Sequence, residues 1–495
     1  MFPWTKYPYT NFQELNLDYL LAEMRRLSTR VDSISSSVEI SPAYPCLADL
    51  LEDTDIVTGA YAQTIAYHAG TMKGGAIYQI VDTAPATYYE TMSDGRYAKL
   101  IYNAQVDVTQ FGAYGDNFHD DRAAFQSAIN TGAEVVVPVD QDIIYRINGI
   151  LTIGATGTDC IRGNFKSLFG RIHFDTGYFH VTRYACRFEN LFIEGAASDD
   201  YNSYLIKVEH AVGRYDCDFS MINCTLRWAD LGVYVDGRGL EVYDCVFSTM
   251  ERAIHFNYTG SGSDGTLNST ELGGRGLRVY NNRLHSTTNS VIQLTGSACG
   301  IQILNNYVDN CAILLDSSAD IYGGKIASNN CLLFGSTYLN FTGDTNDLLI
   351  SENTFTAYRD LMTWSNPTSF LIFSGGDHKQ LAITNNTFEG CTLHPINASG
   401  TGCTFENVQI CNNTFTNVDK SNETAAVFFT REVKQLLISG NVVDGSSSLY
   451  IVYFLDEADS SDVVVTDNIN RAGRTSSTML ITRSIIDNNI DQNTV

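Results

Sequence analysis

The 495-residue sequence has no run of 18 apolar residues, no CxxC pair, only 8 prolines and few basic side chains. Each shortage excludes something. Without a long apolar run, no helix is expected to cross a membrane. The opening, MFPWTKYPYTNF, lacks the apolar stretch behind a basic start that a secretory signal requires. Lys and Arg number 31 against 56 Asp and Glu, a formal charge of −25. Nucleic acid and anionic membrane surfaces would both repel such a chain, so neither is expected as a partner. The 12 cysteines show no zinc-ligand spacing. They are expected to be reduced core residues, and neither a metal nor a cofactor is expected.

Hydrophobic residues make up 44% of the chain and aromatics 11%, enough for a continuous core. The 39 glycines, set against so few prolines, fit many tight bends between extended segments. Near the start, Leu17, Leu20, Met24, Leu27, Val31, Ile34 and Val38 repeat at alternating steps of three and four. That is an a/d seam with polar flanks (Glu23, Arg25, Arg26, Arg30, Asp32), and it predicts a coiled-coil helix that gathers several chains. Thr10 or Asn11 is placed to cap it, with Gln13 or Glu14 closing a capping box.

The second half carries a recurring pair, usually Asn-Asn, followed by a large apolar residue. Aligned on the second member, the anchors are Cys224, Cys245, Asn282, Asn306, Asn330, Asn353, Asn386, Asn413, Asn441 and Asn468. Their intervals run from 21 to 37 residues, a solenoid period. Three positions before the anchor stand Met221, Val242, Val279, Ile303, Ile350, Ile383, Ile410, Ile438 and Val465. Two positions after it stand Leu226, Phe247, Leu284, Val308, Leu332, Phe355, Phe388, Phe415 and Val443, while Asn470 breaks the run. Alternation of this kind is one strand per turn with one face inward. The reading is an all-β parallel β-helix, each coil adding a strand about 4.8 Å from the last and stacking its asparagines into a ladder. Cys224 and Cys245 take the place of asparagine in that ladder.

Residues 106 to 138 read VDVTQFGAYGDNFHDDRAAFQSAINTGAEVVVP. Phe111, Gly112, Ala113, Gly115, Asp116, Asp120, Asp121, Ala124, Gln126, Ala128 and Ile129 match the opening of the pectate-lyase-like right-handed parallel β-helix family, which the segment resembles. A helix from about 121 to 131 capped by Asp, ended by Gly132 and followed by the strand EVVVP, is expected to cover the open end of the solenoid. Upstream, PCLADLLEDTDIVTG, TIAYHAGTMKGGAIYQI and DGRYAKLI are similar to the small β-rich head that precedes the β-helix in phage tail spikes. PWTKYPYTNFQELNLDYLL resembles the start of tail proteins from phages of gut bacteria. These resemblances imply a homotrimeric tail spike or appendage of a virion, made in the host bacterial cytoplasm and docked on tail proteins through its N-terminus. The expected division is a virion-attachment and coiled-coil segment at 1–40, a head at 41–105, a capping segment at 106–140 and the β-helix at 141–495. The family's enzyme signatures, GHG with RIK or RxPxxR, are missing, so the resemblance does not bring an activity with it.

Six residues past the anchors of one uninterrupted 21-residue coil sit Asp230 and Glu251. Outward on adjacent coils they would form the like-charged pair, one pKa raised, that a polysaccharide hydrolase needs. Solvated turn carboxylates are the plainer account of them. Asp236 and Glu241 lie nearby as weaker candidates. For glycan binding, Ile222, Tyr243, Tyr280 and Leu304 form an outward stripe beside a polar lane of Glu241, Arg278, Gln302 and Lys325. Two long insertions, Tyr258 to Gly276 and Tyr358 to Lys379 with Trp364 and His378, are expected to project and carry specificity. The functional expectation is attachment to host-surface polysaccharide. A depolymerase of that glycan and a structural appendage carrying another adhesin are the alternatives.

Overall fold

A computed structural model describes residues 43–138, 142–163, 170–196, 204–209, 216–258, 276–333, 337–357, 368–391, 393–400, 402–418, 425–430, 433–445, 450–454, 461–471, 484–487 and 490–491. The heptad helix and Trp364 lie outside these residues, as does most of the Tyr258–Gly276 insertion. The chain divides into two compact units, up to Asn103 and from Ala104 onward.

The first unit is a five-stranded sheet with one short helix, Leu47–Glu52. Tyr61–Ala66, Ile77–Val81 and Tyr97–Ile101 pair antiparallel in that order, and Tyr89–Thr91 completes one edge. Alternation buries Ala62, Thr64, Ala66, Tyr78, Ile80, Ala98 and Leu100 on one face. The helix begins at Cys46, whose backbone N–H donates to the Asp49 carboxylate at 3.1 Å.

The second unit opens with a cap and continues as a parallel β-helix, whose 39 strands among the described residues are joined by parallel pairings. The helix Arg122–Asn130 buries Ala124, Phe125, Ala128 and Ile129 over the first coils. Its capping differs from expectation. The buried Asp121 carboxylate accepts from the Tyr114 and Gly115 amides at 2.6 and 3.1 Å, holding the entering loop. Asp120 instead takes the Arg122 amide at 3.0 Å.

Corners built on left-handed backbone recur along the coils. At the first stand Asn223, Asp244, Asn281, Asn305, Ser328, Glu352, Asn385, Asn412, Gly440 and Asp467, with φ between 51° and 67°. These are the first members of the repeated pair, short polar residues for which this conformation is cheap, with Glu352 the exception. The second members point inward and form the ladder. Asn282, Asn306, Asn329, Asn353, Asn386, Asn413 and Asn441 each donate Nδ2 to the Oδ1 of the next, at 2.9–3.1 Å. The rung at the fifth turn is Asn329, not Asn330. The run Ser328-Asn329-Asn330 offers three polar residues, and Ser328 takes the left-handed corner, which moves the rung one place earlier. Cys331 rather than Leu332 is then the inward residue.

At the head of the ladder, the thiol of Cys245 accepts the Cys224 amide at 3.3 Å, and the Cys245 amide donates to Asn282 at 2.9 Å. Inside, like stacks on like. Phe355, Phe388 and Phe415 lie nearly parallel with ring centroids 5.4 and 5.1 Å apart. All 12 cysteines are free, and all but Cys411 are buried.

Candidate functional site

The constant offset of 21 residues between Thr225–Asp236 and Val246–Tyr258 (Ala229 beside Met250, Leu231 beside Arg252) puts Asp230 next to Glu251, both outward and half-buried. Their surroundings differ. Glu251 accepts from Asn289 Nδ2 at 3.2 Å and faces Arg252 at 3.5 Å. Asp230 has no hydrogen-bond partner among the described residues, and burial together with the Glu251 charge pushes its carboxyl above the ordinary range.

The same outer face carries a lane that the repeat alignment did not reveal. Register aligns His180, Lys207, Tyr234 and His255, with Glu209, Asp236 and Asn257 alongside. Ring centroids step from Tyr178 to Tyr204 to Tyr234 to His255 at 5.5, 5.6 and 5.1 Å. Glu209 bridges His180 Nε2 at 2.6 Å and Lys207 at 2.7 Å, while Asn257 donates to Asp236 at 3.1 Å. Asp236, a weaker candidate from the sequence, thus sits within a connected polar surface.

Tyr243 and Tyr280 do stack on adjacent coils, 5.1 Å apart and 2° from parallel. Tyr280 donates its hydroxyl to Glu241 at 3.0 Å, and Arg278 lies 3.9 Å from the same carboxylate. Burial and that bond push the Tyr280 phenol up to about 12. Register continues the polar lane from Glu241 through Arg278 and Gln302 to Lys325. A cleft of about 180 Å³ opens beside it, lined by Asp218, Phe219, Ser220, Gly239, Leu240, Glu241, Gly276 and Arg278. Gly239 is left-handed (φ 85°), and a Cβ there would meet Asp218 Oδ1 at 2.4 Å.

The two candidate sets occupy different faces. Between Tyr243 and Glu251 the chain passes both left-handed corners, at Asp244 and Thr249. The intermediate face holds a network absent from the sequence reading. Glu194, 1% exposed, receives His173 Nδ1 at 2.9 Å, Arg227 Nε at 2.8 Å and Arg171 Nε. Burial alone would raise its pKa, but the bonds from His173 and Arg227 and the two guanidinium charges hold the carboxyl below its ordinary value.

His378 was expected on a projecting loop. It lies instead inside, at 0% exposure, in the strand Asp377–Thr384 between Phe373 and Phe405, and shares a 3.0 Å hydrogen bond with Thr345. The inward alternation of that strand reaches back to it, so it belongs to the core.

No family model and no curated protein match the sequence. Solved structures similar to it are mostly phage tailspikes. The enzymatically active domain of tailspike protein 2 from bacteriophage CBA120 matches over 86% of this chain and 57% of its own, at 11% identity and a TM-score of 0.44. Full-length tailspike protein 2 from the Escherichia coli O157:H7 bacteriophage matches over 86% and 51%, at 12% identity and 0.42. The tailspike of Acinetobacter phage vb_AbaP_AS12 matches over 92% and 75%, at 11% identity and 0.46. The chain therefore spans about half the length of the first two. The similarity is remote, and the β-helix assignment rests on the strand pairings themselves.

Proposed function

We propose that this chain is a phage tail spike or tail appendage that attaches to a host-surface polysaccharide through the outer faces of the coils around residues 178–295. In this reading three copies assemble through residues 1–40, which also dock on the virion tail. The observation that carries it is the lane of Tyr178, Tyr204, Tyr234 and His255, partly exposed rings repeating at 5.1–5.6 Å along the axis. Carboxylates, a lysine and amides beside the rings supply donors and acceptors. Aromatic faces flanked by polar groups match the alternating apolar and hydroxylated surfaces of a sugar chain. The Tyr243–Tyr280 pair and its cleft offer a second contact surface of the same kind, with Glu241 and Arg278 as its hydrogen-bonding groups.

A second reading, that the protein also cuts the glycan, is favoured by Asp230. An outward carboxyl whose pKa is raised by burial and by the neighbouring Glu251 is the kind of group that protonation of a glycosidic oxygen requires. Incubation with capsule and cell-wall glycans of candidate hosts, following both retention and fragment size, tests these readings. Retention of intact glycan supports attachment, and shortened fragments add cleavage. Failure to retain any host glycan overturns both and leaves a purely structural appendage.

A further inference from the structure

Register on the intermediate face strings Glu194, Arg227, Ser248, His285 and Asp309 along successive coils, each beside the next. Neighbouring strands stand about 4.8 Å apart, so members of such a column are within side-chain reach of one another. The residue before each of the last four (Leu226, Phe247, Leu284 and Val308) is buried, which turns these four outward. The residue after each is the second left-handed corner, at Trp228, Thr249, Ser286 and Asn310, with φ of 60°, 55°, 55° and 52°. The chain bends at the same place on every coil, and that keeps the four side chains in line.

Three consecutive members are a serine, a histidine and an aspartate. His285 Nδ1 and Asp309 Oδ1 share a 2.6 Å hydrogen bond, and Arg283 lies 3.8 Å from the other carboxylate oxygen. A carboxylate there keeps the ring hydrogen on Nδ1 and leaves Nε2 as the bare, proton-accepting nitrogen. Ser248 stands on the other side of His285 from Asp309. Neither its hydroxyl nor His285 Nε2 has a partner among the described residues. An acid that fixes one nitrogen of a histidine, with a hydroxyl on the side of the other, is the arrangement that activates a serine nucleophile. The contact between hydroxyl and imidazole commonly closes only when substrate is bound.

Arg227 flanks Ser248 on the remaining side. Its Nε and Nη2 both engage Glu194 Oε2, at 2.8 Å, so Nη1 is left on the opposite edge of the planar group, toward the Ser248 coil. A cation held in that place suits the negative oxygen that develops on an acyl carbon under attack.

We propose that Ser248, His285 and Asp309 form a serine esterase site for short acyl esters, with Arg227 as the oxyanion donor. Ser248 Oγ bonds to the acyl carbon while its proton passes to Nε2 of His285. The ester C–O bond breaks, and the alcohol leaves with that proton. Water, deprotonated by the same Nε2, then releases the carboxylic acid and restores the serine. The site is open, with the His285 side chain 41% exposed, which favours a small acyl group and an ester rather than the less reactive amide. This activity is independent of glycan attachment, and glycan retention does not report on it.

The test uses the full chain with p-nitrophenyl acetate and butyrate, and a fluorophosphonate label mapped by mass spectrometry. The label is expected on Ser248. Ser248→Ala and His285→Gln are each expected to lower ester turnover about a hundredfold or more, with the melting temperature unchanged. Arg227→Gln is expected to lower kcat by about 10²-fold and to leave labelling at Ser248 slower but present. Turnover by Ser248→Ala at the wild-type rate overturns the proposal, because surface histidines alone would then account for it. So does a label that falls on other serines, or labelling of Ser248 with no turnover of either ester.

Discussion

Asp230 and Glu251 stand side by side on consecutive coils, and the Glu251 charge, added to burial, keeps the Asp230 carboxyl above its ordinary range. Glu251 is fixed by Asn289 and Arg252, so the two carboxyls are chemically unequal before any substrate arrives. If the protein cuts its glycan, Asp230→Asn and Glu251→Gln each reduce release of new reducing ends by roughly 10²–10⁴-fold and leave retention intact. Glu251→Gln also lowers the pKa of Asp230 toward the ordinary carboxyl value, which carboxyl-resolved NMR titration reads directly.

The ladder predicts a graded cost. Asn353 Oδ1 accepts both the backbone amide and the side-chain Nδ2 of Asn329, at 3.0 and 2.9 Å. Asn353→Ala leaves two buried donors unmet and is expected to cost about 2–5 kcal/mol. Asn353→Cys is expected to cost less, because Cys245 already accepts an amide at the equivalent place. Denaturant midpoints of the two variants check the order.

His378 gives the fold an acid limit. Burial lowers its pKa from 6.5 to about 4, so the unfolded chain takes up a proton over that interval and the folded chain does not. The contribution is complete above pH 6.5, falls as the pH drops toward about 4, and amounts to about 3 kcal/mol. In the double variant His378→Phe with Thr345→Val, which removes the hydrogen-bonded pair together, the stability–pH curve should be flatter between pH 6.5 and 4.

Gly239→Ala tests the cleft. The new Cβ meets Asp218 Oδ1 at 2.4 Å on a left-handed backbone (φ 85°), and the strain is expected to cost about 1–2 kcal/mol. Because Asp218 lines the cleft, glycan retention through the Glu241–Arg278 surface should weaken as well. Unchanged retention with the expected loss of stability would take the cleft out of the binding surface.

The solenoid was legible because its core positions repeat at fixed offsets from a polar pair, as the buried Met221, Val242, Ile350 and Ile438 illustrate. The single slip, Asn330 for Asn329, came where three polar residues in a row left the corner ambiguous. Register also followed where a coil had no insertion, which is why Asp230 and Glu251 were paired correctly. The Tyr178–His255 lane and the Glu194 network were not legible. Their upstream coils have no asparagine rung before Cys224 to align on, and insertions of unequal length separate members that meet only across the coil. The left-handed Trp228 was hidden for a related reason, since the second corner has no constant residue type.

The asparagine ladder also has a direction. From Asn282 to Asn441 every Nδ2 donates one hydrogen to the Oδ1 of the following coil and the other to a backbone carbonyl of the preceding one, so the side-chain amide bonds all run one way. The side-chain amides therefore add head to tail into a polarised wire, negative toward Cys245 and positive toward Asn468. Each inner amide is strengthened by neighbours on both sides and the terminal ones by a neighbour on one. The thiols of Cys224 and Cys245 end the wire where its negative pole meets the coils that carry the candidate binding surface.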